Sequence, residues 1–155
     1  QQKERLESID ISGLLQELKD ELADTYPERP IVLELESAKK IHGDYRELYS
    51  AVSNLANNAI KYSPDNTPVT IRWYDDRNKC LLEVEDQGIG IDTMHLPRLT
   101  ERFYRVDDSR SSTTGGTGLG LAIVKHVMAA HGGELLIDSE LSVGSTFTLI
   151  FPEGE

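Results

Sequence analysis

Leu48-Tyr49-Ser50-Ala51-Val52-Ser53-Asn54-Leu55-Ala56-Asn57-Asn58-Ala59-Ile60-Lys61-Tyr62-Ser63 carries two patterns at once. At about 100° per residue, with Leu48 at zero, Leu48, Val52, Leu55 and Ala59 fall within about 40° of zero and make a core stripe. Asn54, Asn58 and Lys61 fall near about −120°, −80° and −140°, a polar stripe along the edge of the apolar one. The spacing predicts a helix opening at Asp44-Tyr45-Arg46-Glu47, a capping box, and stopping near Tyr62 before Ser63-Pro64-Asp65-Asn66. An amide carbonyl is a hard oxygen ligand for Mg²⁺, and a lysine is a point charge for phosphate. The stripe therefore suits a magnesium–polyphosphate. From this helix alone an ordinary solvated edge is the better-supported reading, because asparagine is a poor helix former with no cap to make mid-helix.

Working outward, Leu14, Leu15, Leu18 and Leu22 keep helical spacing upstream, with Asp10 or Ser12 as the cap, until Tyr26-Pro27-Glu28-Arg29-Pro30 breaks the helix. Ile31 to Glu36 reads as a strand, and Ile41-His42-Gly43 as a short extended piece and turn. Val69–Tyr74 and Cys80–Asp86 alternate like two strands of a hairpin, with Trp73 on the apolar side. Leu119 to Ala130 is a buried helix closed by Gly132-Gly133. Two strands follow, Glu134–Asp138 and Thr146–Phe151. Residues 92–117 are rich in Arg, Ser, Thr, Asp and Gly, and a loop this long in a small domain is usually functional. The order implies an α/β sandwich: one mixed sheet, helices on one face, and a long lid.

Two more stretches carry chemistry. Alternation puts Asp86 of Asp86-Gln87-Gly88-Ile89-Gly90 on the buried face with Leu82 and Val84. A buried carboxylate is costly unless something donates to it, and a purine amino group is one such donor. Gly88 and Gly90 then permit close backbone approach to a flat ring. A plain turn with a local cap is the other reading. Gly115-Gly116-Thr117-Gly118-Leu119-Gly120-Leu121 enters a helix directly, which presents backbone N–H groups to phosphate or makes a hinge. It is not a P-loop, having no Gly-Lys-Ser/Thr, and the spacing is wrong for a dinucleotide fingerprint.

The 155 residues carry a formal net charge of −11, with 38% hydrophobic and 28% charged. That composition is globular. The acidic balance argues against nucleic acid, whose binders show a basic footprint. No apolar run is long enough to cross a membrane as a helix, and one cysteine, Cys80, excludes an internal disulfide framework and fits a reducing setting.

Taken in order, Asn54-x-x-x-Asn58, Asp86-x-Gly88-x-Gly90, Glu101-Arg102-Phe103-Tyr104-Arg105, Gly116-x-Gly118-x-Gly120 and Gly144-Ser145-Thr146-Phe147 resemble the N, G1, F, G2 and G3 boxes of the sensor histidine kinase catalytic domain. That is the Bergerat-type ATP-binding fold, shared with gyrase B, MutL and heat-shock chaperone ATPases. The resemblance covers about residues 8–152. Asn58–Ser63, Arg102–Arg110 and Gly116–His126 are most similar to the phosphate-regulon sensor kinases.

The resemblance implies roles. Asn58 would coordinate Mg²⁺, with Asn54 and Lys61 facing the phosphates of ATP. Tyr62 and Ile91 would line the adenine pocket, Asp86 would accept the adenine amino proton, and Thr146 would help through a water. Gly116, Thr117, Gly118, Leu119 and Gly120 would meet the phosphates, with Gly88 and Gly90 at the base. Residues 92–117 would be the ATP lid, with Arg102, Arg105 and Arg110 as phosphate or partner contacts. Residues 1–10 would be a linker from preceding phosphoacceptor helices and 11–155 the catalytic domain. The expected partners are the dimerisation/phosphoacceptor helices and a response regulator, with no nucleic acid and no direct membrane contact. The setting would be the cytoplasmic side of a bacterial sensor anchored in the inner membrane.

One departure matters. The hydrolases of this fold carry Glu four residues before the metal-binding Asn, as base for water. Asn54 stands there, and an amide takes no proton at neutral pH. The site should hold ATP for a better nucleophile, in this family a histidine. None of the four histidines, His42, His95, His126 and His131, lies in a phosphoacceptor context. His126 is expected to be packed beside Ile123 and Ala130, the others structural or at the surface. Anti-sigma serine kinases use the same boxes for regulatory binding and are the alternative.

Overall fold

The computed structural model describes residues 6–88, 118–140 and 144–152, the side chains of 118–120 and 139–140 aside. The order is β1 (Leu6–Asp10), α1 (Ile11–Thr25), β2 (Ile31–Leu35), β3 (Lys40–Asp44), α2 (Tyr45–Lys61), β4 (Val69–Asp76), β5 (Lys79–Asp86), α3 (Gly118–Ala130), β6 (Glu134–Glu140) and β7 (Gly144–Pro152). Five strands form one mixed sheet in the order β2-β4-β5-β7-β6, with β2 parallel to β4 and every other pair antiparallel. The three helices among the described residues cover one face, so the expected sandwich is what the chain folds into.

Period two explains the core. Val69, Ile71 and Trp73 of β4, Cys80, Leu82 and Val84 of β5, and Phe147, Leu149 and Phe151 of β7 are buried on the helix side. They meet Leu14, Leu15, Leu18 and Leu22 of α1, Leu48, Val52, Leu55 and Ala59 of α2, and Leu121, Val124, Val127 and Met128 of α3. Trp73 packs edge-on to Phe151 at 6.1 Å between ring centroids. On the open face Arg72 bridges Glu34, Glu83 and Glu85 at 2.9, 3.1 and 2.6 Å, tying β2, β4 and β5 together where water reaches them.

The structure departs from the sequence reading in two places here. Residues 6–10, expected within a linker, form β1 and pair antiparallel with β3, Ile9 opposite Ile41, and both isoleucines are buried. This two-stranded sheet stands apart from the main one and packs against α1 and α2. His126, expected to be packed, is exposed together with Ile123 and Ala130. The helix is apolar nearly all round, so its period does not choose a face. The larger stripe Leu121, Val124, Val127 and Met128 wins the core side.

The helix ends follow local rules. Asp44 caps α2, its Oδ1 accepting from Glu47 N–H at 3.1 Å. Asp10 holds the N-cap position of α1 without a side-chain cap bond, while Ser12 Oγ donates to the Ser37 carbonyl instead. Gly132, with φ of 73°, closes α3 in a Schellman turn: Gly133 N–H donates to Met128 O at 2.8 Å and Gly132 N–H to Ala129 O at 3.2 Å.

Just past α3, His131 Nε2 accepts from Asp44 N–H at 3.0 Å, and its Nδ1 lies 2.8 Å from Val127 O. The ring is thus the Nδ1–H tautomer, stapling the end of α3 to the start of α2. The two helices also pack against each other. We expect His131→Ala to cost about 1–3 kcal/mol, read as a lower urea midpoint at unchanged m-value. An unshifted midpoint would show that the staple carries no stability.

Candidate functional site

Three motifs converge where α2 ends, β5 ends and β7 begins. Asp86, the last residue of β5, is 6% exposed and faces the core side as alternation requires. Its Oδ1 accepts from Gly88 N–H at 2.8 Å. Burial pushes its pKa up from 3.8 to about 6, against the opposing pull of N–H donation from Gly88 and Ser145. The neighbouring Glu85 raises it further, and the Arg29 guanidinium pulls it down. The carboxylate is ionised at neutral pH but poorly compensated.

The backbone around it is packed to contact. A Cβ on Gly88 would lie 2.0 Å from the Tyr62 carbonyl oxygen and 2.9 Å from Asp86 Oδ1. A Cβ on Gly144, whose φ is 145°, would lie 2.1 Å from the Asp86 carbonyl oxygen. Glycine is obligatory at both points. The close approaches bring the α2 C-cap residue Tyr62, the Asp86–Gly88 bend and the Gly144–Ser145 corner into one wall.

On α2, Asn54 and Asn58 are half-buried and Lys61 is exposed. The Asn54 amide nitrogen donates to the Ser50 carbonyl at 2.9 Å, which leaves its carbonyl end directed away from the helix backbone. Asn57 is structural by contrast: its Oδ1 accepts from Tyr26 Oη at 3.1 Å and its Nδ2 donates to Ser53 O at 2.8 Å. Of the motif's neighbouring pair, Asn58 is the one facing the polar edge. An amide oxygen is a hard donor of the kind Mg²⁺ takes, so Asn58 is compatible with that ion.

Thr146 is a correction. Register pairs it with Glu85, on the open face of the sheet, whereas Ser145 pairs with Asp86 and is buried beside it. Ser145, one residue earlier and so on the other face, is the residue of this turn that lies on the Asp86 side. Gly90, Ile91, the lid at 92–117, Arg102, Arg105, Arg110, Gly116 and Thr117 lie outside the described residues. Gly118, Leu119 and Gly120 form the first turn of α3, as a helix-entry phosphate cradle requires.

Sequence reading missed Arg29. Its guanidinium donates to the carbonyls of Ile60, Ser63, Pro64 and Thr67 at 2.9, 3.0, 2.6 and 3.0 Å, and to Ser63 Oγ at 3.0 Å. Nothing local marks it, since four of its partners are main-chain oxygens more than thirty positions away.

Comparison with known proteins identifies the family and the fold. Residues 43–155 match the family described as histidine kinase-, DNA gyrase B-, and HSP90-like ATPase. The chain is 56% identical over 121 residues to the phosphate regulon sensor protein PhoR of Pseudomonas aeruginosa, an alignment covering 78% of this chain and 27% of that protein. It spans between about a quarter and two fifths of the length of the curated relatives it matches. The mycobacterial sensor histidine kinase MprB superposes with a TM-score of 0.84 at 28% identity, over 97% of this chain and 99% of that one. Full-length ShkA, solved in complex with AMPPNP, superposes with a TM-score of 0.80 at 28% identity, over 99% of this chain and 32% of that one. Shared fold, matched family and convergent wall lead to one conclusion: the chain belongs to the histidine kinase-, DNA gyrase B- and HSP90-like ATPase family, as an ATP-binding domain of the sensor histidine kinase kind.

Proposed function

We propose that this chain binds Mg·ATP and passes the γ-phosphoryl group to a histidine on a separate dimerisation/phosphoacceptor domain, for relay to a response regulator. The single observation that carries it is Asp86: a buried carboxylate held by two backbone N–H groups, its pKa raised to about 6, at the mouth of a glycine-lined wall. Such a group needs one more donor, and the exocyclic amino group of adenine is a donor of the right kind. Tyr62 would flank the base. The first turn of α3 would meet the polyphosphate with its N–H groups, and Asn54 and Lys61 would face it from α2. Asn58 would hold Mg²⁺, which when bound neutralises charge on the transferred phosphoryl.

The amide at Asn54 supports transfer over hydrolysis, because the residue at that position cannot take a proton from water. The relatives described above are sensor kinases, and nothing favours the anti-sigma alternative. By the same likeness the parent protein would be a membrane-anchored bacterial sensor with this domain on the cytoplasmic side, serving phosphate regulation. Residues 11–155 would be the catalytic domain, with the lid at 92–117.

The test is reconstitution. With radiolabelled ATP and a helix pair bearing a phosphoacceptor histidine, acid-labile label should accumulate on the helix pair and none on this chain alone. Label on this chain, or nucleotide binding with no transfer to any supplied acceptor, would overturn the reading.

A further inference from the structure

The Arg29 side chain is 5% exposed, yet the carboxylate within reach among the described residues, Asp65, stands 4.0 Å away and is exposed. A guanidinium taken out of water costs several kcal/mol unless its donors are satisfied. Here they are satisfied by four main-chain oxygens and the Ser63 hydroxyl at the last turn of α2 and the bend that follows, the negative end of the helix dipole. The bend does not need a cation in order to close. Thr67 N–H already reaches Pro64 O at 3.0 Å, and Ser63 Oγ reaches Ala59 O at 2.6 Å. What the fork adds is orientation, since one planar group ties four carbonyls into a single geometry.

Between those carbonyls lies Tyr62, whose own carbonyl oxygen is the surface on which Gly88 rests. Gly88 in turn donates to Asp86 Oδ1. Arg29, the 60–67 turn, Tyr62, Gly88 and Asp86 are therefore one continuous contact chain, running from a proline-bounded loop to the acceptor for the base.

We infer that Arg29 is a positioning residue of the nucleotide site: its guanidinium fixes the 60–67 turn, and with it the Tyr62 wall and the Gly88 bend that aim the Asp86 carboxylate at the base. This rests on the nucleotide-binding reading given above. The role belongs to base recognition rather than to phosphate handling, because each link ends on the adenine side. It also has an electrostatic component. The charged groups acting on Asp86 are Glu85 from β5 and Arg29 from the α1–β2 loop, and the second favours the ionised acceptor.

The experiment compares wild type, Arg29→Lys and Ser63→Ala for melting temperature and for calorimetric affinity toward ADP and GDP, well below each melting point. Lysine keeps the charge but offers donors from one point, so it cannot bridge four carbonyls. Arg29→Lys is expected to weaken ADP about tenfold and to narrow the ADP-over-GDP preference, because the acceptor is misaimed. Ser63→Ala removes one acceptor of the fork and should weaken ADP about two- to fivefold in the same direction. A loss of stability with ADP affinity and base preference unchanged would make Arg29 merely structural and overturn the inference. If Arg29→Lys does not fold, Ser63→Ala decides by the same split. Wild type that binds no adenine nucleotide would instead overturn the functional reading, and the inference with it.

Discussion

Asp86→Asn should weaken ATP binding about 10²- to 10³-fold while leaving the fold standing. The carboxylate is buried and accepts from Gly88 N–H, and its raised pKa says that the ionised form is short of compensation. An amide in its place keeps an oxygen for Gly88 but sets an NH₂ group toward the base. An adenine amino donor then faces a donor, and both are left unsatisfied in a dry site. The folded apo protein loses only a buried charge, so its stability should stay within about 1 kcal/mol of wild type. Guanine presents an acceptor where adenine presents a donor. The variant should therefore move base preference toward GTP. Calorimetric ATP affinity within threefold of wild type would remove Asp86 from the site.

The same group makes pH act in opposite directions on the empty and the occupied domain. With a folded pKa near 6 against an ordinary 3.8, Asp86 holds a proton in the native state that the unfolded chain releases across that interval. Its contribution to stability is therefore fully present below about pH 4 and is lost as pH rises through about 6. Base recognition needs the ionised form. Nucleotide affinity should fall about tenfold per unit once pH drops below about 6, while the apo protein gains stability from this group over the same span. Asp86→Asn should abolish both slopes, which affinity and urea midpoints measured across that range would read directly.

Much of the site was legible because its parts obey local rules. Asp86 is inward-facing because strand period is two and Leu82 and Val84 share its side. The α2 stripe and its Asp44 cap follow from helical spacing, and Gly132-Gly133 from Schellman geometry. What escaped depends on distant partners or on a single-residue shift. β1 contributes one buried residue, Ile9, and exists because β3 lies alongside it. Arg29 bonds carbonyls more than thirty positions away that no side chain advertises. Ser145 rather than Thr146 lies on the Asp86 side because a box aligned by its glycine leaves the face undecided, and one step along a strand reverses it. His126 was misplaced because an apolar helix offers two credible faces.

The adjacent asparagines Asn57 and Asn58 should give opposite signatures when each is changed to alanine. Asn57 accepts from Tyr26 Oη and donates to Ser53 O and Ser53 Oγ, joining the end of α1 to α2. Removing it leaves the tyrosine hydroxyl short of a partner and should cost about 1–3 kcal/mol, with phosphoryl transfer retained in the folded fraction. Asn58 sits half-buried on the polar edge, and alanine there is the better helix former, so stability should hold or rise by about 0.5 kcal/mol. In the function proposed above its amide oxygen would hold Mg²⁺, and charge stabilisation rather than protein chemistry limits phosphoryl transfer. Asn58→Ala should therefore lose the Mg²⁺ dependence of ATP affinity and about 10³-fold in transfer to a supplied acceptor. The contrast is demanding because the two residues share one helix turn and one chemistry. Equal losses of stability in both variants, or Mg²⁺-dependent affinity persisting in Asn58→Ala, would show that the polar stripe is a solvated helix edge after all.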